Sequence, residues 1–138
     1  MDWSELSTLA ADPLVTIGAH TVNHVRLAKV PEKSARREMQ MSRAVIEASL
    51  GTRPAHMSFP VGDSTSAGPR DFRLAREAGF TTAVTTRPGH LFPAHAQHLH
   101  ALPRVSVNGL FQSEAAFRAL LSGVPSLAWN RFRRLNVS

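Results

Sequence analysis

The sequence predicts an α/β domain with a mainly parallel sheet. Short apolar or β-branched runs alternate with longer segments of helical periodicity, which is the pattern of strands connected by helices. Glycine, proline or asparagine bounds each short run, as is typical of buried strands. With 138 residues, of which 43% are hydrophobic and 19% charged, the chain has the length and composition of one globular domain.

Four helices are predicted from apolar spacing and from end signals. They cover Ser4 to Ala11, Pro31 to Leu50, Pro69 to Ala78 and Ser113 to Ser122. Proline at the first position and glycine after the last are the expected start and stop signals of the second and third helices. On the exposed face of the second helix, Glu32 is expected to pair with Arg36 one turn later, which contributes a few tenths of a kcal/mol.

Several large or apolar side chains are expected to form the core. From the helices and the two tryptophans they are Ala35, Met39, Ile46, Leu50, Phe117, Leu120, Leu121, Trp3 and Trp129, and the boundary of Ser42 and Arg43 is a polar interruption in the second helix. Spacing near the helical repeat predicts that the members on each helix share one buried face.

Four strands are predicted between the helices. They cover Leu14 to Ala19, His56 to Phe59, Phe80 to Thr86 and Leu102 to Val107. The stretch from Pro88 to His100, with four histidines and two prolines, is predicted to be a long loop. In parallel sheets the reactive side chains gather where strands end, so the residues that follow each strand are the candidates for a site.

The positive charge of the chain is interpreted as a solvated surface. The formal net charge is +6, but most arginines are scattered along predicted helix faces, and only Arg131, Arg133 and Arg134 cluster. The sequence has no tyrosine, which disfavours a stacking platform for single-stranded nucleic acid. No nucleic-acid partner is therefore predicted.

Other classes are excluded by what the sequence lacks. No run of about 18 apolar residues is present, so no membrane span is predicted. There is no cysteine, which excludes disulfides and cysteine-based zinc sites. The start at Met1 has neither a basic region nor an apolar region of a secretory signal, so a cytoplasmic location is expected by default.

A histidine pair follows the first predicted strand, in the segment His20-Thr21-Val22-Asn23-His24. Two imidazoles four positions apart can lie close enough to bind one divalent ion. Such a pair alone is more often a capping or core feature. Its position at the carboxyl end of a strand, after a glycine, favours a metal site.

This segment resembles the His-Ser/Thr-x-x-His metal motif of the polysaccharide deacetylases, the fourth carbohydrate-esterase family. The run Ser58-Phe59-Pro60-Val61-Gly62-Asp63 is similar to the third motif of that family, and Leu102-Pro103-Arg104-Val105 is similar to a late motif. The segments between them, at 70–72, 78–80 and 83–89, resemble the usual helix, strand and loop of the family. The matches run in family order from about Trp3 to about Gly109, and residues 110–138 form a predicted helical C-terminal segment.

The resemblance implies a distorted (β/α) barrel, of which this chain would form part. It implies a divalent metal, usually zinc, and hydrolysis of N-acetyl groups on an amino-sugar polymer. His20 and His24 would be metal ligands, and the backbone N–H of Val61 would stabilise the oxyanion. The substrate-binding residues implied by the third motif are Phe59, Pro60, Gly62 and Asp63.

Two further catalytic candidates come from the end of the matched region. Arg104 would either orient a catalytic carboxylate or form a surface pair. His98 and His100 precede it and are candidates for the late general acid, with His100 preferred, although neither lies in a clean Leu-x-His context. As solvated loop residues they would need no function.

The departures from the family pattern predict an incomplete site. The motif Thr-Phe-Asp-Asp-Gly, which supplies a metal-binding and a general-base aspartate, is not in the sequence, and nineteen residues precede His20. Val61 replaces the usual tyrosine, and Asp63 is expected to act in its loop rather than in catalysis. Zinc would be weakly held and the chain weak or inactive alone.

Two other functions remain open at this point. The chain could be a non-catalytic carbohydrate- or partner-binding remnant of the same fold, able to self-associate through an exposed barrel edge. A basic nucleic-acid-binding domain rests on charge alone and would show strongly salt-sensitive binding to DNA.

Overall fold

The computed structural model describes residues 1–109 and 111–137, which form a parallel sheet with helices packed on it. The strands are β1 (His56–Ser58), β2 (Thr82–Pro88) and β3 (Leu102–Arg104). The α-helices are α1 (Trp3–Ala10), α2 (Glu32–Leu50), α3 (Pro69–Glu77), α4 (Glu114–Leu121) and α5 (Val124–Trp129). Two 3-10 turns cover Leu27–Lys29 and Pro93–Gln97. The predicted α/β class is confirmed.

The sheet has the order β1-β2-β3, and both strand pairs are parallel. Met57 lies opposite Ala83, and Val84 lies opposite Leu102. Because the strands are parallel, their carboxyl ends meet at one edge, which we call the rim. Residues that follow Ser58, Pro88 and Arg104 are therefore brought to the same side of the molecule.

The predicted strand from Leu14 to Ala19 is wrong except at its last residue. Ala19 alone pairs, in parallel with Met57; its N–H donates to the His56 carbonyl at 2.8 Å. Upstream, a turn satisfies the backbone locally, since the N–H of Leu14 donates to the carboxylate of Asp12 at 2.8 Å. Leu14 is 92% exposed and so gains nothing from extension along the sheet.

Four other strand boundaries shift, and β1 ends at Ser58, one residue earlier than predicted. β2 begins two residues later than predicted and continues to Pro88, while β3 ends at Arg104 rather than at Val107. β2 carries the expected alternation, with Ala83, Thr85 and Arg87 buried. The predicted loop that follows contains the second 3-10 turn.

The helical core positions of α2 are confirmed at Ala35 and Met39, which are buried, as is Ser42. Gly51 ends the helix at a φ of 70°, where a side chain would be strained. The predicted surface pair of Glu32 and Arg36 is present at 3.4 Å. Within the described residues, no helix is both long and apolar enough to cross a membrane.

The predicted burial of the α4 residues and of the two tryptophans is wrong. Phe117 and Leu121 are 41% and 54% exposed, and both tryptophans, Trp3 and Trp129, are largely exposed. The physical reason is that α4 packs against the short α5 and buries none of its own residues. Helical spacing identifies the apolar face of a helix, but it does not show whether other elements pack against that face.

A buried ion pair connects α3 to the turn after the histidines. Asp71 is 1% exposed and accepts from Arg70 Nη2 at 2.7 Å and from the N–H of Gly68 at 3.0 Å. The Arg70 guanidinium also donates to the carbonyl of Val30 at 3.0 Å and to that of Leu27. This arrangement fixes the segment between the histidines and α2 against α3.

Candidate active site

His20 lies on the rim beside the end of β1, and its ring is held in one orientation. Its Nδ1 lies 2.9 Å from the carbonyl oxygen of Ser58 and 2.8 Å from the Ser58 hydroxyl. A carbonyl can only accept, so Nδ1 carries the proton and the lone pair is on Nε2. This is the arrangement that fixes the tautomer of metal-binding histidines.

His24 returns to His20 because the intervening chain curls back. The two ring centroids are 4.9 Å apart with the planes inclined at 59°. Thr21 and His24 have φ values of 61° and 53°, in the left-handed region that non-glycine residues rarely occupy. Residues 20–24, which we call the histidine loop, thus place two imidazoles side by side on the rim.

Glu38 of α2 holds the histidine loop in this shape. Its carboxylate accepts from the backbone N–H groups of Val22 and Asn23 at 3.0 and 2.9 Å, and from the Asn23 amide at 2.6 Å. Partial burial raises the pKa of Glu38, but the hydrogen bonds from Asn23 and Val22 outweigh it and leave this pKa below its usual value. The carboxylate therefore stays ionised at neutral pH.

The two imidazoles fit two positions of a divalent-metal site. His20 presents a fixed nitrogen, and the His24 ring lies beside it. Within residues 1–109 and 111–137, no group of three histidines, aspartates or glutamates could hold a metal ion.

Zinc affinity is expected to depend on the histidine pair. Replacing His24 with Ala should weaken binding by more than about tenfold, because a single imidazole would remain. Isothermal titration with zinc measures this. His98→Ala is the matched control, since His98 lies just after the second 3-10 turn and away from the histidine loop. Equal zinc affinity of the two variants would show that the pair is not a metal site.

Replacing Glu38 with Gln is expected to weaken zinc binding a few-fold without removing a ligand. Gln keeps one acceptor oxygen but loses the charge that three donors share. The histidine loop would then be less well ordered before the metal binds. The control is Glu47→Gln, which removes a charge from the same helix, where Glu47 forms an exposed pair with Arg53. Zinc titration of both variants separates the loss of order in the histidine loop from the loss of charge. Unchanged affinity in Glu38→Gln would contradict the role.

Val61 lies on the rim, three residues after Ser58, with a φ of 60°. Its carbonyl accepts from the Thr86 hydroxyl at 2.7 Å, while its N–H has no hydrogen-bond partner in the described parts of the chain. Gly62 follows at a φ of 72°, where a Cβ atom would lie 2.9 Å from the Thr86 nitrogen. Only glycine fits there, so the turn and the position of the Val61 N–H are tightly constrained.

The remaining residues of the third motif have other positions. Phe59 is 2% exposed and packs on Phe72 with centroids 5.4 Å apart, and Pro60 is buried. Their predicted substrate contact is corrected, because neither side chain reaches the surface. Asp63 accepts from the Thr65 hydroxyl at 2.8 Å, and this bond holds the pKa of Asp63 below its usual value. A lowered pKa makes it a weak base.

The two late catalytic candidates, Arg104 and His100, lie at opposite ends of the sheet. Arg104 ends β3 on the rim; its side chain is exposed and forms no ion pair with a described carboxylate. His100 is at the opposite end of the sheet, where its Nε2 lies 2.7 Å from the carbonyl of Phe80, two residues before β2. The structure therefore does not bring His100 to the rim, and its catalytic role stays a prediction.

Sequence reasoning missed three residues that shape the site. They are Ser58, Glu38 and Thr86. Ser58 was visible as the residue at the carboxyl end of a strand. The other two act through backbone groups distant in sequence, for which a single sequence carries no signal.

Comparison with known proteins identifies the same family that the sequence motifs resemble. Residues 1–83 match the family model described as polysaccharide deacetylase. No match to a curated protein was found.

Solved structures with the same fold include the following three. Deacetylase PplD from Streptococcus pyogenes, in complex with acetate, is 18% identical with a TM-score of 0.75, over 87% of this chain and 50% of that one. A polysaccharide deacetylase from Bacillus cereus is 17% identical with a TM-score of 0.75, over 88% and 36%. IcaB from Ammonifex degensii is 22% identical with a TM-score of 0.69, over 86% and 53%.

The chain thus spans about half or less of the length of these structures. Its three-stranded parallel sheet and helices match part of their (β/α) barrel. The family model covers more than half of the sequence. The chain belongs to the polysaccharide deacetylase family.

Proposed function

We propose that this chain supplies the histidine half of a metal-dependent deacetylase site that acts on an N-acetylated amino-sugar polymer. One observation carries the proposal. The His20 imidazole, fixed by Ser58, lies beside His24 on the rim next to the turn at Val61. A metal ion held by the two imidazoles would lie on the same rim as an oxyanion donor, as hydrolysis of an acetamide requires.

Each residue of the proposed site has a distinct role. His20 and His24 would hold zinc, which when bound polarises the acetamide carbonyl and acidifies water. The Val61 N–H would donate to the oxygen that becomes negative, and Gly62 keeps that N–H in place. With valine in place of an aromatic residue, Val61 offers only a small apolar surface to the sugar ring.

The carboxylates that the chemistry needs are not assembled at this site. The sequence has no adjacent pair of aspartates, and Asp63 is engaged in its own turn. Arg104 is exposed on the rim without a described carboxylate partner, and we propose that it orients one from outside this sequence. The chain alone is then a weak or inactive deacetylase.

Acetate release from chitin oligomers tests the proposal, with the chain alone and with a segment that carries Thr-Phe-Asp-Asp-Gly added. Turnover only in the completed protein supports it. A completed protein that binds the oligomers and releases no acetate would favour a non-catalytic, carbohydrate-binding role.

A further inference from the structure

The positive charge of the chain is concentrated in its C-terminal part. Residues 78–138 contain six arginines and a single acidic residue, Glu114, and so carry +5 of the total charge of +6. Glu114 is already paired with Arg118 at 2.8 Å. The structure shows where the other cations lie.

A cleft of about 260 Å³ opens between the end of β3 and the helices α4 and α5. Arg104 and Trp129 line it together with an apolar wall formed by Val105, Phe111, Leu120 and Pro125. Trp129 is 77% exposed and also lines a second hollow with Arg131 and Arg133. We call these two hollows, which share Trp129 as a lining residue, the C-terminal cleft.

The C-terminal cleft adjoins the rim. The Asn130 amide donates to the carbonyl of Pro88, the last residue of β2, at 2.7 Å. Two residues earlier on the same strand, Thr86 holds the Val61 carbonyl. The buried Arg87 between them donates to the carbonyl of Asn136 at 3.1 Å, which fixes the chain end to the sheet. A polymer that occupies the rim can therefore continue into the C-terminal cleft.

No carboxylate of residues 1–109 or 111–137 neutralises the cations of the C-terminal cleft. In the described part of the chain, no carboxylate lies within ion-pair distance of Arg104, Arg131 or Arg133. Guanidinium groups bind carboxylate or phosphate in a bidentate manner, and an exposed indole can cover the apolar face of a sugar ring.

We propose that the C-terminal cleft binds a sugar unit bearing an anionic group, so that the preferred polymer is an acidic glycan. Trp129 stacks on the ring, and Arg131 and Arg133 bind the anionic substituent. The proposal rests on the proposed function in one respect, namely that the ligand is a glycan. Nucleic acid is disfavoured because the cleft continues the rim and offers one indole rather than a row of stacking platforms.

Binding by the full chain tests this, measured calorimetrically with zinc chelated so that the result does not depend on the metal site or on turnover. The probes are oligogalacturonate, a phosphate-bearing oligosaccharide and a neutral chitin oligomer, all of one length. At least one acidic probe is expected to bind about tenfold more tightly than the neutral one, since exposed ion pairs are individually weak. The better acidic probe identifies carboxylate or phosphate as the preferred group.

The variants decide where the acidic preference arises. The double variant Arg131→Gln/Arg133→Gln should lose most of the preference for acidic probes. The control is Arg53→Gln/Arg76→Gln, which removes the same charge at exposed positions elsewhere and should keep that preference. Trp129→Ala should weaken all three oligosaccharides. Equal losses in both double variants, no preference for acidic probes, or tighter binding of single-stranded DNA of equal charge would each overturn the proposal.

Discussion

Acetate release from chitin oligomers by the 138-residue chain is expected to stay below detection, even with excess zinc. Loss of a general base alone lowers the rate by about 10²–10⁴. The described residues also offer no third ligand from a carboxylate group, so zinc would be poorly held during turnover. The two losses act on the same step and together predict no measurable turnover.

Adding a segment with the Thr-Phe-Asp-Asp-Gly motif, fused or as a separate chain, is expected to restore turnover. The same completed protein carrying His20→Ala should lose it again, which shows that the restored activity uses this chain. Robust metal-dependent release by the isolated chain would contradict the prediction. Asp63 would then be the first carboxylate to replace, although its low pKa makes it a weak base.

Replacing Asp71 with Ala is expected to lower the free energy of unfolding by about 3 kcal/mol. The change leaves Arg70 without its buried partner and removes the acceptor for the Gly68 N–H at the start of α3. The value is at the low end for a broken buried pair because the Arg70 side chain is one-third exposed. Urea unfolding followed by circular dichroism measures the loss.

The control for Asp71→Ala is Arg73→Ala, on the same helix. Arg73 pairs with Glu77 and Glu32, but all three side chains are substantially exposed. Its loss should cost clearly less than the loss of Asp71, because exposed ion pairs contribute little to stability. If both variants lost the same stability, the connection between α3 and the turn after the histidine loop would not be a main support of the fold.

The sequence predicted elements well where one local pattern determined them. The helix α2 has a spaced apolar face, a proline before it and a left-handed glycine after it, and it formed as expected. The segment before Ala19 is as apolar as a strand, yet the turn at Asp12 satisfies its backbone. The predicted burial of the α4 residues and of Trp129 in α5 was wrong for a different reason, because burial depends on which elements pack against a helix face.

The site was predictable only in its ordered motifs. The positions of His20, His24 and Val61 followed from motif order and from the rule that loops after parallel strands share one edge. His100 is close in sequence to Arg104 and still lies at the other end of the sheet, since a strand intervenes. The contacts of Glu38 and Thr86 require knowing which backbone groups the fold leaves unpaired.

The left-handed residues of the rim have a consequence for the order in which the molecule forms. Thr21, His24 and Val61 each occupy a conformation that a free chain avoids, at a cost of about 1–3 kcal/mol. Contacts from α2 and β2 offset that cost, through Glu38 and Thr86. We therefore expect the rim to take its native shape only after α2 and the sheet are in place, since their contacts are needed to hold it.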